Sequence, residues 1–223
     1  MRSRIFFVSL LCLALISANT VSPVAAKDKV FSMPRAYHAK TYPARDVHDD
    51  EKVALAIDPY DLPDKEYTVF KVDYLAKSVL PVHFILSNDG DKSIILTQMN
   101  VLLITKQKIK LQPANAEDVY RRLAENKQRV DMPQRGPFGT KVKNNVPKDA
   151  MMEVPGAQFL ATVVDAKSSQ SGFFFFDYEG IENPLAGARL VVTGIRNNNG
   201  KELFYFEVPL EKYLGYKPGT NNM

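Results

Sequence analysis

Val79-Leu-Pro-Val-His-Phe-Ile-Leu-Ser87, followed by Asn88-Asp-Gly-Asp91 and Ser93-Ile-Ile-Leu-Thr97, is the stretch on which the fold reading turns. Two runs rich in β-branched and aromatic residues flank a turn of Asn, Asp and Gly, which predicts a β-hairpin. Met99-Asn-Val-Leu-Leu-Ile-Thr105 reads as a further strand beside it. Upstream, Val53-Ala-Leu-Ala-Ile57 predicts a strand that stops at Asp58-Pro59, where proline removes a ladder donor. Residues 66–77 fit strand alternation and a helical turn equally well.

Downstream, Asn115 has the character of a helix N-cap, with Glu117 and Asp118 where the helix dipole favours negative charge. Val119, Tyr120 and Leu123 then share a face, predicting a helix over 116–126. Residues 128–155 carry four prolines and no sustained period, and read as one long loop. Phe159, Leu160, Val163 and Val164 recur at helical spacing and suggest a second short helix. The last third returns to strands at Gly172-Phe-Phe-Phe-Phe176, Arg189-Leu-Val-Val-Thr-Gly-Ile195 and Glu202-Leu-Phe-Tyr-Phe-Glu-Val208, the last two joined through Asn197-Asn-Asn-Gly200. The pattern predicts a mainly β chain: an antiparallel β-sandwich with one or two short inserted α-helices.

The strand leading into Asn-Asp-Gly, the central helix, Ser171-Gly-Phe-Phe-Phe-Phe176, and the closing pair Leu190-Val-Val-Thr-Gly and Glu202-Leu-Phe-Tyr-Phe-Glu-Val-Pro209 together resemble exported bacterial immunoglobulin-like proteins of uncharacterised function. They are more distantly similar to telokin-like sandwich domains. The resemblance covers residues 53–210 and implies an immunoglobulin-like sandwich. It brings no catalytic residues with it.

The N-terminus predicts export. Arg2 and Arg4 precede an apolar run over residues 5–16, and Val24-Ala25-Ala26 puts small residues where a signal peptidase cuts, so residues 1–26 read as a cleavable signal peptide. About twelve apolar residues fall short of the roughly 20 that span a bilayer, and no transmembrane segment is expected after cleavage. The single cysteine, Cys12, leaves with the leader, so the mature chain has neither a disulfide nor a thiol nucleophile. Residues 27–50, polar and broken by Pro34 and Pro43, read as a flexible N-terminal arm, 51–213 as the sandwich domain and 214–223 as a C-terminal tail. The expected location is periplasmic or extracellular.

Charge narrows the function further. Without Arg2 and Arg4, the 29 basic residues become 27 against 25 acidic ones, a balanced surface that gives no reason to expect a nucleic-acid partner. Serine hydrolysis by the nucleophile-elbow route needs Gly-x-Ser-x-Gly, which is absent, and Gly136-Pro137-Phe138-Gly139 lacks the lysine and context of a phosphate loop. His48-Asp49-Asp50-Glu51, with His38, offers imidazole and carboxylate ligands at a spacing that matches no standard metal loop, and reads first as solvated charge. Met132, Met151 and Met152 are soft donors for copper(I), though gap filling is their commoner use. His83 should point away from Val82 and Phe84, into solvent if those two face the core. Alternation should send two of the four rings of residues 173–176 to each face, so the outer face needs a cover of helices or a partner.

These readings converge on a non-enzymatic exported domain that binds or scaffolds another protein or envelope component and needs no cofactor. Arg135, Lys141, Lys143 and Lys148, in the basic loop, are the expected contact for an acidic partner. The alternatives from other classes are copper or zinc handling through the histidines and methionines, and hydrolysis of envelope polymers by carboxylates that folding would have to assemble.

Overall fold

A computed structural model of the chain describes residues 31–124 and 146–214. They fall within one unit, Phe31–Met223. The proposed signal peptide lies outside the described residues. The strands are β1 Arg45–His48, β2 Val53–Pro59, β3 Val79–Asn88, β4 Ile94–Ile95, β5 Asn100–Ile104, β6 Lys110–Leu111, β7 Val163–Val164, β8 Ser168–Asp177, β9 Arg189–Thr193, β10 Arg196–Asn197 and β11 Phe206–Pro209. The helices are α1 Pro63–Glu66, α2 Ala116–Ala124, α3 Ala150–Ala157 and α4 Glu211–Leu214.

Three antiparallel sheets result, ordered β1-β2-β3-β8, β10-β4-β7 and β11-β9-β5-β6. The two larger ones share a core: Leu55, Ile57, Leu80, Phe84, Leu86 and Phe176 come from the first, and Val101, Leu103, Leu190, Val192, Phe206 and Val208 from the other. This is a mainly β arrangement consistent with a β-sandwich.

The first sheet is buried on both faces, which explains why β3 has no polar alternation: all ten of its residues are buried. On its outer face Phe173 and Phe175 lie under Val119 and Leu123 of α2 and Ala150, Val154 and Ala157 of α3. Further along that face, Ala54, Ala56 and Ile85 lie under Ala39. The four rings of residues 173–176 therefore divide as alternation requires, with Phe174 and Phe176 packed in the shared core, and helices supply the cover. Gly172 lies opposite Phe84, and a Cβ there would come within 2.5 Å of Phe159 Cα. A side chain would pry Phe159 from the strand to whose Phe173 carbonyl its amide donates at 3.0 Å.

Several expectations are corrected. β3 does not return as a hairpin with β4. It pairs with β2 and β8, while β4 pairs with β7 and β10. Asn88 turns the chain out of the sheet instead, its side-chain amide donating to Lys92 O at 2.8 Å and its oxygen accepting from Gly90 N at 2.9 Å. The second helix is α3, which begins within the predicted loop 128–155 and runs to Ala157, while the residues at helical spacing after it divide between Phe159, buried, and Leu160, 72% exposed. The 27–50 segment, expected to be a flexible arm, holds β1 and a 3-10 turn Ala39–Thr41 among its described residues, and Phe31 and Met33 pack against the outer-face cluster. His83 is buried, because the face it points to is the helix-covered one. The helix over 116–126 forms as Ala116–Ala124, with Asn115 Oδ1 accepting from Asp118 N at 2.9 Å.

The edges of the two large sheets meet along β1 and β11. Asp46 Oδ2 accepts from Glu207 N at 2.9 Å and Glu51 Oε1 from Phe204 N at 3.0 Å.

Candidate functional site

The exit of β2 builds the most developed cleft. Pro59 ends the ladder, Asp61 and Leu62 turn the chain, and Pro63 opens α1 with its backbone angle already set for a helix. This brings Lys65 back over the end of the strand it has just left. Its ammonium donates to Asp58 Oδ1 and to Pro59 O, both at 2.6 Å, and to the Tyr213 hydroxyl at 3.2 Å. Three donors meet three acceptors, and the nitrogen lies 4.9 Å from the ring centroids of both Tyr60 and Tyr213.

Tyr213 comes from α4, 148 positions downstream of Lys65, and its hydroxyl donates to Asp61 Oδ1. Burial, then Asp61, raises the Tyr213 phenol well above its ordinary range, and burial with Asp58 does the same to Tyr60. Both stay neutral donors at any physiological pH. Tyr37, Thr41, Tyr42, Pro43, Leu62 and Leu214 complete the walls of a cleft of about 570 Å³. Tyr37 N donates to the Tyr42 hydroxyl at 3.2 Å, joining two of the walls.

Deeper in the fold, α1 and α3 carry two buried carboxyl groups. Glu66 is fully buried and Glu153 is 3% exposed. Glu153 accepts from Lys71 N at 2.7 Å, Val72 N at 3.4 Å and the Tyr74 hydroxyl at 3.1 Å. Glu66 Oε1 accepts from Tyr74 N at 3.0 Å and Leu75 N at 3.2 Å, while its Oε2 has no partner. These groups tie the irregular segment between α1 and β3 to α3. Their role is architectural: they satisfy amides that no ladder or helix reaches.

Burial is the main reason the Glu66 carboxyl is pushed up to about 8, with nearby Asp73 adding to the rise against the two amides. Folded Glu66 thus keeps a proton that the unfolded chain releases above about 4.5, so its stabilisation is full below that pH and is lost as pH rises through about 8. His83 has the opposite sign: burial, then Lys65, lowers it to about 4, and its contribution is full above about 6.5 and is lost as pH falls towards 4. Between pH 6.5 and 8 the Glu66 slope acts unopposed by His83. Wild-type stability is expected to fall there by on the order of 1 kcal/mol per pH unit, and Glu66→Gln, which keeps an acceptor for both amides, should remove that slope. Urea midpoints measured from pH 6.5 to 8.5 decide this, and a flat wild-type profile would contradict it.

The residues singled out by sequence are dispersed. His38 pairs with Asp89 at 2.8 Å, and Asp49 with Lys40 at 3.4 Å. His48 sits between Asp46 at 3.2 Å and Glu51 at 3.1 Å and stacks on Phe206 at 3.9 Å, as part of the seam between sheets. Asp50 is exposed on the turn that follows. Among the described residues no three His, Cys, Asp or Glu side chains are grouped to hold a metal ion. Met151 and Met152 are exposed on α3. Arg135, Lys141, Lys143 and Met132 lie outside the described residues, and Lys148 is exposed just before α3. Among the described residues no helix is long and apolar enough to cross a membrane. Sequence reasoning missed the Lys65 cleft, whose one local signal is the dense run Asp58-Pro-Tyr-Asp-Leu-Pro-Asp-Lys65, of which only the strand end at Asp58-Pro59 is read from the sequence.

No protein-family model and no curated protein matches the chain. Among solved structures it is similar to one described as "putative lipoprotein (ycdA)" from Bacillus subtilis subsp. subtilis str. 168, at 16% identity and a TM-score of 0.33. That likeness covers 72% of this chain and 37% of the other, so the chain spans little more than a third of that protein's length.

Proposed function

We propose that the chain is an exported, non-enzymatic binding module of the bacterial envelope or exterior, built as an immunoglobulin-like sandwich, and that it engages a partner through the tyrosine-walled cleft over Lys65. The observation that carries this reading is the commitment of the Lys65 and Tyr213 donors in the cleft. All three Lys65 donors and the Tyr213 proton are already engaged within the protein. Such a set holds a shape and leaves neither a free nucleophile nor an unengaged amine. The walls around it are rings and leucines, the lining typical of a recognition pocket. The basic loop with Arg135, Lys141, Lys143 and Lys148 remains a second proposed contact, suited to an acidic region of the same partner.

Site-specific photocrosslinking tests the cleft. A benzophenone side chain at Leu62, 59% exposed on the rim, is expected to capture a discrete partner in the native host, whereas the same group at Lys201, in the β10 turn, should not. Tyr37→Ala should reduce the yield at Leu62 about tenfold if the ring anchors the contact. Equal products from both positions, or none from Leu62, would refute the cleft as the working surface.

A further inference from the structure

Resting on the reading of the cleft as the binding surface, we propose that its occupant is an extended peptide segment that seats a lysine or arginine side chain against Asp58 and Asp61 and lays flanking apolar residues over Tyr37, Leu62 and Leu214. The cleft holds two carboxylates and one ammonium, and the ammonium's donors are saturated. Lys65 is the one cation among the residues that line the cleft, and the nearby Arg35 guanidinium is set over the Tyr37 ring at 5.4 Å, not against the carboxylates. The carboxylates are only half engaged: Asp58 and Asp61 each use Oδ1, and their Oδ2 atoms have no hydrogen bond among the described residues. Each therefore offers an acceptor to an incoming N–H donor of positive charge, the stronger kind of hydrogen bond.

The surrounding rings suit the same charge. Tyr60 and Tyr213 already flank the Lys65 ammonium, and the wall of Tyr37 and Tyr42 adds further π surface. The rim argues for a chain over a free small cation. Tyr37, Leu62 and Leu214 are 58%, 59% and 48% exposed and extend the apolar surface past the carboxylates. A lone ammonium or guanidinium would leave that surface wet, whereas a peptide covers it while its cationic side chain reaches the carboxylates.

The test uses the full mature chain and three capped pentapeptides of proline and leucine around a central arginine, citrulline or glutamate, with arginine amide and a soluble cell-wall glycan fragment alongside. Calorimetry is expected to show the arginine peptide binding at least about tenfold tighter than the citrulline and glutamate forms and than arginine amide. Asp61→Asn, which keeps an acceptor for Tyr213, should remove most of the arginine advantage and leave citrulline binding unchanged. Leu62→Ala should weaken all three peptides together.

Equal binding of arginine and citrulline peptides, still sensitive to Leu62→Ala, would overturn the cationic anchor while sparing the cleft. Arginine amide binding as tightly as the peptide would overturn the extended occupant. Binding of the glycan alone would overturn the peptide. If no probe binds while the Leu62 crosslink forms, the peptide proposal fails and the cleft reading stands; if the crosslink fails as well, both fail.

Discussion

Phe173→Ala is expected to lower the unfolding free energy by about 3–5 kcal/mol, the range for deleting a fully buried phenylalanine. The ring has no solvent exposure and sits at the centre of the outer-face cluster. Phe70 meets it edge-on at 5.0 Å, Tyr60 edge-on at 5.1 Å, and His83 stacks against it at 4.9 Å. Its loss adds a cavity to the lost transfer energy and breaks these three ring pairs together with the tilted one to Phe175 at 6.5 Å. A second readout separates this from generic damage. The His83 Nε2 atom has no partner and the imidazole is held neutral by burial, so a cavity that admits water should let its pKa climb from about 4 towards 6.5. Urea unfolding with an NMR titration of His83 tests both. A loss under about 1 kcal/mol would place Phe173 outside the core.

Glu153→Ala is expected to cost a comparable 3–5 kcal/mol, because it strands three donors in a dry site. Lys71 N and Val72 N belong to a segment with no ladder of its own, and the Tyr74 hydroxyl is buried beneath α3. Glu153→Gln should cost less than half as much, since one oxygen still accepts and the Tyr74 hydroxyl can turn to accept from the new amide. The contrast distinguishes a hydrogen-bond role from simple volume. Equal losses for the two variants in chemical denaturation would show that filling space is all Glu153 does. Because Glu153 links α3 to the segment leading to β3, Glu153→Ala should also speed proteolysis within residues 67–78.

The elements of this fold were more legible than their partners. Residues 79–87 and 172–176 announce strands because their β-branched and aromatic content has no competing period. The same density hides the pairing: a strand buried on both faces reads as continuous apolar sequence, and nothing in it says that β8, some 90 positions on, takes the place that the Asn-Asp-Gly turn assigns to β4. His83 was misplaced by the same assumption of one wet face. The helix assigned to Phe159, Leu160, Val163 and Val164 followed spacing alone, while α3 formed upstream despite Pro155 because Glu153 and Val154 anchor it to the outer face. The cleft was not legible, since Asp58, Lys65 and Tyr213 meet only once β2, α1 and α4 have folded.

The seam between β1 and β11 also bears on how the chain fares at high concentration. A terminal strand normally offers a row of amides on which an identical chain can grow a fibril. Here Asp46 and Glu51 occupy the Glu207 and Phe204 amides, so an approaching copy would have to displace two carboxylates before forming its first rung. In a chain whose single cysteine can form no internal disulfide, side chains from one sheet thus act as a stopper against templated self-assembly along the other.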